Sequence, residues 1–325
     1  MTSNSLNDSP ILSVILIVAD QRERARSALE SVLRQRLIDQ IEVILFDRSK
    51  PGTESVPGAN HPNVREIRVK TGITPGWVRA EGVRQARAPL VVFLEEHCIA
   101  FPGWADAIIR GFQDPSAAVG PEMHNGNATG GINRFLGILY YPLFLAPAIV
   151  EPNLIPHHNA AYRRDVLLGY GKRLEELIFP EDWLQLQMIA DGHRLSLVPD
   201  MKVLHMFETS FQRSIQFNFI AGQSFEAACN IFYERSVGDR LVRCCALLAS
   251  PLLRPLKQFF FILKRRRKWT WRFLEGLPII VSLHAAHALG GIVGVLCGMD
   301  RQLSVRFLET QINWRRALPD QNLSF

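Results

Sequence analysis

Three consecutive side chains that can bind a metal ion stand directly after a predicted buried strand. Glu95, Glu96 and His97 follow the apolar run 90–94, whose unbroken hydrophobicity is typical of a strand covered on both faces. Alternate residues of an extended chain share a face, so Glu95 and His97 are predicted to point the same way. Carboxylate and imidazole ligands together can hold a divalent ion beside a phosphate. The alternative is an exposed acidic turn that carries a lone histidine.

Two earlier strands are also followed by acidic residues. Asp20 comes just after the apolar run 11–18, and Asp47 ends the run that begins at 41. Ligands of parallel α/β sheets bind at the carboxyl ends of the strands. The three strand ends are therefore predicted to contribute to one binding site.

The elements that must position these residues alternate along the chain. Apolar runs and apolar spacing predict four strands and three helices, at 11–18, 41–46, 64–69 and 90–94 and at 24–36, 75–86 and 104–112 respectively. This order predicts a mostly parallel sheet with helices on both faces. Further on, a helix is predicted at 181–190 and short strands at 195–198 and 203–204. The apolar stretch 136–150 is broken by prolines and would form a wall of an acceptor site or a loop facing a membrane.

The composition limits the class of protein. The chain has 325 residues, of which 47% are hydrophobic and 21% charged, so disorder is excluded. Its five cysteines include no Cys-x-x-Cys pair, which favours reduced thiols in the cytoplasm. Cys98 directly follows His97 and is predicted to be a small buried residue. The first ten residues are polar and lack the pattern of a signal peptide, so the body is expected to stay in the cytoplasm.

The charge is distributed unevenly. From residue 235 onward the chain has 15 Lys and Arg against 5 Asp and Glu, and before it 22 against 26. A basic segment joined to apolar runs predicts an anionic membrane surface as partner and disfavours nucleic acid. Residues 241–263 are predicted to form an interfacial helix pair, followed by the basic cluster 264–268 between aromatic residues. The uncharged run 277–298 is long enough to span a bilayer, although a buried or in-plane hairpin is equally compatible.

Several motifs occur in a characteristic order. They are the strands at 13–16 and 41–47, Phe-Leu-Glu-Glu-His at 93–97 with Pro-Gly-Trp at 102–104, Asn-Ala-Ala-Tyr-Arg-Arg at 159–164, Glu-Asp at 181–182, and Asp-Gly-His-Arg-Leu at 191–195 leading to His205. This set spans about residues 11–210 and resembles the family 2 glycosyltransferases, which have the GT-A fold. The resemblance implies an α/β, Rossmann-like domain that binds a nucleotide sugar, and the basic, apolar tail resembles the membrane-associated ends found in that family.

The resemblance also implies roles for individual residues. The metal ligands would be His97, Glu95 and His205. The catalytic base would be Asp182, with Glu181 as its neighbour, although an aspartate at a helix start is common without such a role. The donor would be bound by Asp20, Asp47, Arg79, Glu95, Glu96 and Asn159. The usual Asp-x-Asp of the family is Glu-Glu-His here, and a histidine ligand favours Mn²⁺ over Mg²⁺ as cofactor.

These inferences combine into one predicted organisation. Residues 1–10 would be a flexible tail, 11–235 a GT-A domain, and 236–325 a helical, membrane-associated region. The predicted function is an inverting, metal-assisted transfer from a nucleotide sugar, with a UDP-sugar expected, to a lipid-linked or cell-envelope glycan in polysaccharide biosynthesis. The expected location is the cytoplasmic face of the cell membrane, held peripherally or by one spanning helix. The rivals are a catalytically degenerate nucleotide-sugar binder, a nucleotidyltransferase, whose usual glycine-rich loop is missing after the first strand, and a non-enzymatic membrane adaptor.

Overall fold

The computed structural model describes most of the chain, namely residues 9–70, 72–126, 131–157, 159–179, 181–207 and 210–313, without the side chains of 181, 182, 301, 308, 309 and 311–313. The described residues pack into two compact units, 9–124 with 143–206 and 125–142 with 207–313. Packing alone does not define which part folds independently, so the domain boundary predicted at residue 235 stays a prediction.

The first unit is built on a mixed sheet of eight strands. They are β1 (Leu12–Val18), β2 (Ile41–Asp47), β3 (Val64–Arg68), β4 (Leu90–Glu95), β5 (Cys98–Ala100), β6 (Ala118–Asn125), β7 (Ala161–Arg163) and β8 (Leu195–His205). Their order in the sheet is β3-β2-β1-β4-β7-β6-β8-β5. The first four are parallel, whereas β7 runs antiparallel to β4 and β6, and β5 antiparallel to β8. The α/β class with a parallel half is thereby confirmed.

One prediction about the strands was wrong. The residues predicted as two short strands, 195–198 and 203–204, belong to the single strand β8. Pro199 and Asp200 interrupt the apolar pattern, but they are exposed positions within an extended segment. The alternation of buried and partly exposed side chains resumes at Met201 and continues to His205.

Helices connect the strands of the first unit and form the second unit. Those of the described residues are α1 (Arg22–Leu33), α2 (Pro75–Gln85), α3 (Trp104–Gly111), α4 (Asn133–Tyr140), α5 (Arg164–Gly169), α6 (Leu174–Leu177), α7 (Glu181–Ala190), α8 (Phe211–Phe232), α9 (Val237–Arg265), α10 (Thr270–Cys297) and α11 (Arg301–Asn313). In α1, Ala25, Ala28, Leu29 and Val32 form a fully buried face. Helix α2 begins where Thr74 accepts a hydrogen bond from the Trp77 amide, with proline at its first position.

The second unit is helical, and its longest helix differs from the prediction. Residues 241–263 were predicted as an interfacial helix pair because they include three basic residues and two prolines, but Pro251 and Pro255 both lie inside the continuous helix α9. Proline at 251 cannot donate to the carbonyl of Leu247. The Ser250 hydroxyl donates to that carbonyl instead, at 2.8 Å. The broken backbone bond is therefore replaced locally, and the helix continues.

Helices α8 and α10 approach each other closely through glycines. A Cβ atom at Gly222 would collide with the carbonyl oxygen of His287, and one at Gly290 with that of Phe219. Gly294 is equally close to the α8 backbone. Small residues that let two backbones touch are typical of packed membrane helices. The run 277–298 is thus part of one packed helix and not a hairpin.

Helices α9 and α10 carry the apolar character of the tail. Two segments, Val237–Arg265 and Arg267–Cys297, are long and apolar enough to cross a membrane. One face of α9 presents exposed large side chains, namely Leu241, Leu248, Leu252, Leu256 and Phe260. A soluble protein rarely exposes so continuous an apolar surface. The prediction of a membrane-associated tail is supported to that extent.

Candidate functional site

Strand pairing brings four potential metal ligands together. Glu95 ends β4, Glu96 and His97 form a turn, and Cys98 begins β5. In the antiparallel pair of β5 and β8, Cys98 lies directly opposite His205. One ligand atom from each of Glu95, His97, Cys98 and His205 falls within 4.8 Å of every other. We call these four residues the ligand cluster.

The donor atoms of the ligand cluster surround a common point. The Nε2 atoms of His97 and His205 are 3.2 Å apart, and they lie 3.3 and 3.6 Å from Oε2 of Glu95. The Sγ atom of Cys98 lies 3.8 Å from the same oxygen. Burial, followed by the charges of Glu95 and Glu96, raises the pKa of the Cys98 thiol well above its usual value. Nitrogen, oxygen and sulfur donors fit a transition-metal ion, whereas Mg²⁺ prefers oxygen ligands alone.

Asn159 fixes the carboxylate of Glu95. It is fully buried and has a positive φ of 66°, a conformation that asparagine tolerates better than most residues. Its Oδ1 accepts a hydrogen bond from the Glu95 amide at 2.9 Å, and its Nδ2 donates to Oε2 of Glu95 at 3.2 Å. The predicted donor-binding residue thus acts, in this structure, on a residue of the ligand cluster.

Glu96 orients His97. Its Oε2 lies 3.4 Å from Nδ1 of His97, on the side of the ring away from the other ligand atoms. Its Oε1 accepts from Arg24 in a buried ion pair. A carboxylate behind a ligating histidine fixes the orientation of the ring and its tautomer. The predicted contact of Glu96 with a donor stays a prediction, since its two oxygens face Arg24 and His97.

Asp47, at the end of β2, is held by its surroundings. Arg22 donates to both of its oxygens, at 3.2 and 2.8 Å, and the Ser49 amide donates at 2.9 Å. Burial raises the pKa of Asp47, but these hydrogen bonds outweigh that effect and leave the pKa below its usual value. Asp47 is therefore a carboxylate at neutral pH, 1% exposed and paired with an arginine.

The register of the sheet shows how far Asp47 is from Glu95 of the ligand cluster. Val18 of β1 pairs with Asp47 of β2, and Ile17 of β1 pairs with Glu95 of β4. Asp47 and Glu95 thus flank the same strand, about 10 Å apart by two strand spacings. A nucleotide is long enough to span that distance, with its base at one end and its phosphates at the other.

Comparison with known proteins agrees with this geometry. Residues 13–170 match the model of the family described as Glycosyl transferase family 2. The match covers 158 of the 325 residues, and it agrees with the resemblance that the sequence motifs indicated. The match ends before helix α7 and before His205, so the ligand cluster lies partly inside it and partly beyond it.

A solved structure shares the fold of this protein. It is the mannosyltransferase PcManGT from Pyrobaculum calidifontis, in complex with GDP-Man and Mn2+. The similarity covers 88% of each chain with a TM-score of 0.56, at 15% sequence identity. At that identity the likeness establishes a shared fold of the GT-A type and no more. No curated protein matched the sequence of this chain.

The remaining predicted site residues are less fully defined. Asp20 is exposed and accepts a hydrogen bond from the Lys50 amide at 3.1 Å. Arg79 is buried in α2, with its guanidinium 5.9 Å from the ring centre of Phe93. Their predicted contacts with a donor stay predictions.

The predicted catalytic residues stand at the start of α7. Glu181 and Asp182 are the first two residues of that helix, but their side chains lie outside the described part of the structure. The next residue, Trp183, is buried. At the N-terminus of a helix, the helix dipole favours the ionised form of a carboxylate. The role of Asp182 as the catalytic base stays a prediction.

Three side chains of the site were given no functional role from the sequence. Arg22 was recognised as a polar residue at the end of the first strand, Arg24 only as part of a helix, and Cys98 as a small buried residue. Both arginines follow strand β1 at its carboxyl end and are two residues apart. That position was a usable signal for the arginines, whereas Cys98 enters the site through its long-range pairing with His205.

Proposed function

We propose that this protein moves a sugar from a nucleotide-sugar donor to a lipid-linked or cell-envelope glycan, by an inverting single displacement. The observation that carries the proposal is the position of Asp47 and Glu95 at the carboxyl ends of the parallel strands β2 and β4, with the rest of the ligand cluster beside Glu95. Within a family 2 domain, that edge has one end for a nucleoside and the other for a diphosphate.

The nucleoside end is formed by Asp47 and Arg22. A buried carboxylate beside an arginine presents both an acceptor and a donor to the polar edge of a base. We propose a UDP-sugar as donor. GDP-mannose is the second candidate, because the structural neighbour was solved with GDP-Man.

The diphosphate end is formed by the ligand cluster. Glu95, His97 and His205 would hold a divalent ion, with Mn²⁺ favoured over Mg²⁺ because two donors are imidazoles. Such an ion, when bound, neutralises the charge that develops on a leaving diphosphate. Asn159 and Glu96 keep the ligands in place, so little reorganisation is needed when an ion binds.

The proton of the acceptor hydroxyl would be taken by Asp182. Asp182→Asn keeps the size and removes the base, so we expect transfer to fall by at least about 100-fold, the usual contribution of a general base. Donor affinity should change little. Asp191→Asn is the matched control, because Asp191 follows the other end of α7 and bonds to Tyr170 and Gln187. Equal loss of donor binding and transfer in Asp182→Asn would contradict the base role.

Thermal unfolding of the full chain in detergent tests the donor. UDP-glucose, UDP-galactose, UDP-N-acetylglucosamine and GDP-mannose would each be added with and without Mn²⁺. A ligand that binds the folded state raises the melting temperature by mass action, by about 2.7 kcal/mol at 100 times its Kd. A metal-dependent rise with one nucleotide sugar supports the proposal and identifies the nucleotide. No rise with any of them would overturn it and favour a non-enzymatic membrane adaptor.

A second candidate is a relative that binds a nucleotide sugar without turnover. It is favoured by one observation, the Glu-Glu-His sequence in place of the family's Asp-x-Asp. Detection of free nucleotide after incubation with donor and a membrane extract separates the two candidates. Metal-dependent binding without nucleotide release would select the inactive relative.

We further propose that the tail places the domain at the cytoplasmic face of the cell membrane. The exposed apolar face of α9 is followed by the basic residues 264–268, and Arg266 stacks on Trp269 at 4.5 Å. Such a pattern suits anionic headgroups. The full chain should float with vesicles containing phosphatidylglycerol and bind less to phosphatidylcholine alone.

The choice between peripheral and spanning attachment can be measured with native cysteines. Cys245 in α9 and Cys297 at the end of α10 are both exposed. An impermeant maleimide added to one side of sealed vesicles labels both if the tail lies in the plane. Labelling of one cysteine from each side indicates a span.

A further inference from the structure

The fourth member of the ligand cluster, Cys98, is not used by the proposed metal set. It is 0% exposed and faces His205 across the pair of β5 and β8. Its sulfur lies 3.8 Å from the Glu95 oxygen that both histidines approach. A thiol placed only for packing has no reason to converge with three other ligand atoms.

The ligand atoms lie close enough together to bind one small ion. Four ligands around a tetrahedral ion, with bonds of about 2.0–2.3 Å, stand roughly 3.3–3.6 Å from one another. Four of the six separations within the ligand cluster are 3.2, 3.3, 3.6 and 3.8 Å, and all six are within 4.8 Å. An octahedral Mg²⁺ would instead require six oxygen ligands at about 2.1 Å. The donor atoms, two imidazoles, a carboxylate and a thiol, are those of a zinc site.

The surroundings of the cluster match those of a preformed metal site. Glu96 stands behind His97 and is itself paired with Arg24. Asn159 bonds to the carboxylate and the amide of Glu95. Hydrogen-bonded partners behind the ligands fix ring orientation and ligand basicity. Two of the four ligands are therefore oriented by buried residues.

We propose that Glu95, His97, Cys98 and His205 form a four-ligand site that selects Zn²⁺ over Mn²⁺ and Mg²⁺. Thiolate and imidazole donors favour Zn²⁺, and Mn²⁺ is the weakest binder of the first-row series. The inference rests on the proposed function for the role of the ion in transfer, where a diphosphate oxygen would add to the four protein ligands as a fifth, and it replaces the expected Mn²⁺ by a more thiophilic ion. Cys98 is the residue that determines this preference.

Cobalt spectroscopy of the purified full chain tests the proposal without measuring activity. Co²⁺ takes the place of Zn²⁺ and reports its ligands through its colour. We expect one Co²⁺ per chain, with intense visible bands of four-coordinate cobalt and a sulfur-to-cobalt charge-transfer band in the near ultraviolet. One equivalent of Zn²⁺ should abolish both signals, whereas a hundredfold excess of Mn²⁺ or Mg²⁺ should not.

Two cysteine variants test whether Cys98 supplies the sulfur ligand of the metal ion. Cys98→Ser removes the thiol with little change in volume and should abolish the charge-transfer band. Cys229→Ser is the matched control, because Cys229 is also buried but lies in α8 of the other unit. It should leave the spectrum unchanged. If Cys98→Ser fails to fold, the chain with its other four cysteines replaced by serine must still show the band.

Each result separates this inference from the proposed function. Pale, six-coordinate cobalt without a charge-transfer band, or a band that survives in Cys98→Ser, overturns the four-ligand site. Metal-dependent nucleotide-sugar binding in the same sample would leave the proposed function intact. A sulfur-ligated spectrum in a protein that binds no nucleotide sugar would support the zinc site and refute the proposed function.

Discussion

The buried ion pair of Arg24 and Glu96 should control both stability and the metal site. Arg24 has no exposed side-chain surface, and the side chain of Glu96 is 5% exposed. Replacing Arg24 by methionine leaves the carboxylate buried without its cation. Loss of one partner of such a pair costs about 3–5 kcal/mol, because the remaining charge is desolvated and uncompensated. Arg24→Met should therefore remove a large part of the total stability of this domain.

The double variant Arg24→Met/Glu96→Gln distinguishes the cost of an unpaired buried charge from the cost of the altered side-chain packing. It leaves no buried charge, so it should be more stable than Arg24→Met alone, with a coupling of about 2–3 kcal/mol. The metal site should respond differently. Glutamine cannot supply the carboxylate behind His97, so ion affinity should remain about 10–100-fold lower in the double variant.

Urea unfolding followed by tryptophan fluorescence measures the change in the free energy of unfolding. Trp77, Trp104 and Trp183 belong to the same unit as Arg24 and report on it directly. The control is Arg34→Met, which breaks an exposed i,i+4 pair with Glu30 and should change stability by less than about 0.5 kcal/mol. Competition with a chromophoric chelator measures the ion affinity.

Two results would refute the reasoning. If Arg24→Met costs no more than Arg34→Met, the pair is not a buried electrostatic unit. If the double variant regains full ion affinity, Glu96 does not orient His97.

Three further variants test other contacts. Asn159→Asp keeps the backbone conformation but sets a second carboxylate against Glu95, and ion titration should show affinity about 10–100-fold lower. Arg22→Met removes the closer of the two cations beside Asp47 and leaves the Ser49 amide and Arg68, whose Nη2 is 3.8 Å away, so the pKa of Asp47 should rise above that in the wild type. In melting curves between pH 3 and 7, the wild type should lose the contribution of Asp47 as pH falls below about 4. The variant should lose less stability over the same range, because the pKa of its Asp47 is closer to that in the unfolded chain; identical profiles would contradict this. Gly290→Leu inserts a side chain where α8 and α10 touch and should cost about 3 kcal/mol or more, whereas Leu289→Ala, at an exposed neighbour, should be nearly neutral in the same melting assay.

Much of the fold was predictable because local patterns determine it. The apolar runs of β1, β2 and β4 have the continuous hydrophobicity of strands buried on both faces, and each lies within a residue or two of its predicted limits. The single helix α9 was not predictable from proline positions. Its continuity depends on a hydroxyl of Ser250 that happens to satisfy the Leu247 carbonyl.

The site was predictable in part for the same reason. Glu95 and His97 were recognised because they follow a strand and stand two residues apart. The position of Cys98 in the ligand cluster was not predicted because it depends on the pairing of β5 with β8. That pairing sets Cys98 opposite a residue 107 positions later, and neither composition nor local spacing reveals it. Asn159 was predicted from its position along the chain and Arg24 was given no role, and only the folded arrangement shows which side chains they contact.

The pairing of β5 with β8 also affects how stable the edge of the sheet is against local unfolding. Strand β5 has three residues and ends the order of the sheet. So short an edge segment is the kind of structure that opens locally at low free-energy cost. An ion held by His97 and His205 would tie together positions 108 residues apart in the chain. It would thereby act as a reversible cross-link. Strand β5 would open locally less often when an ion is bound than when the site is empty.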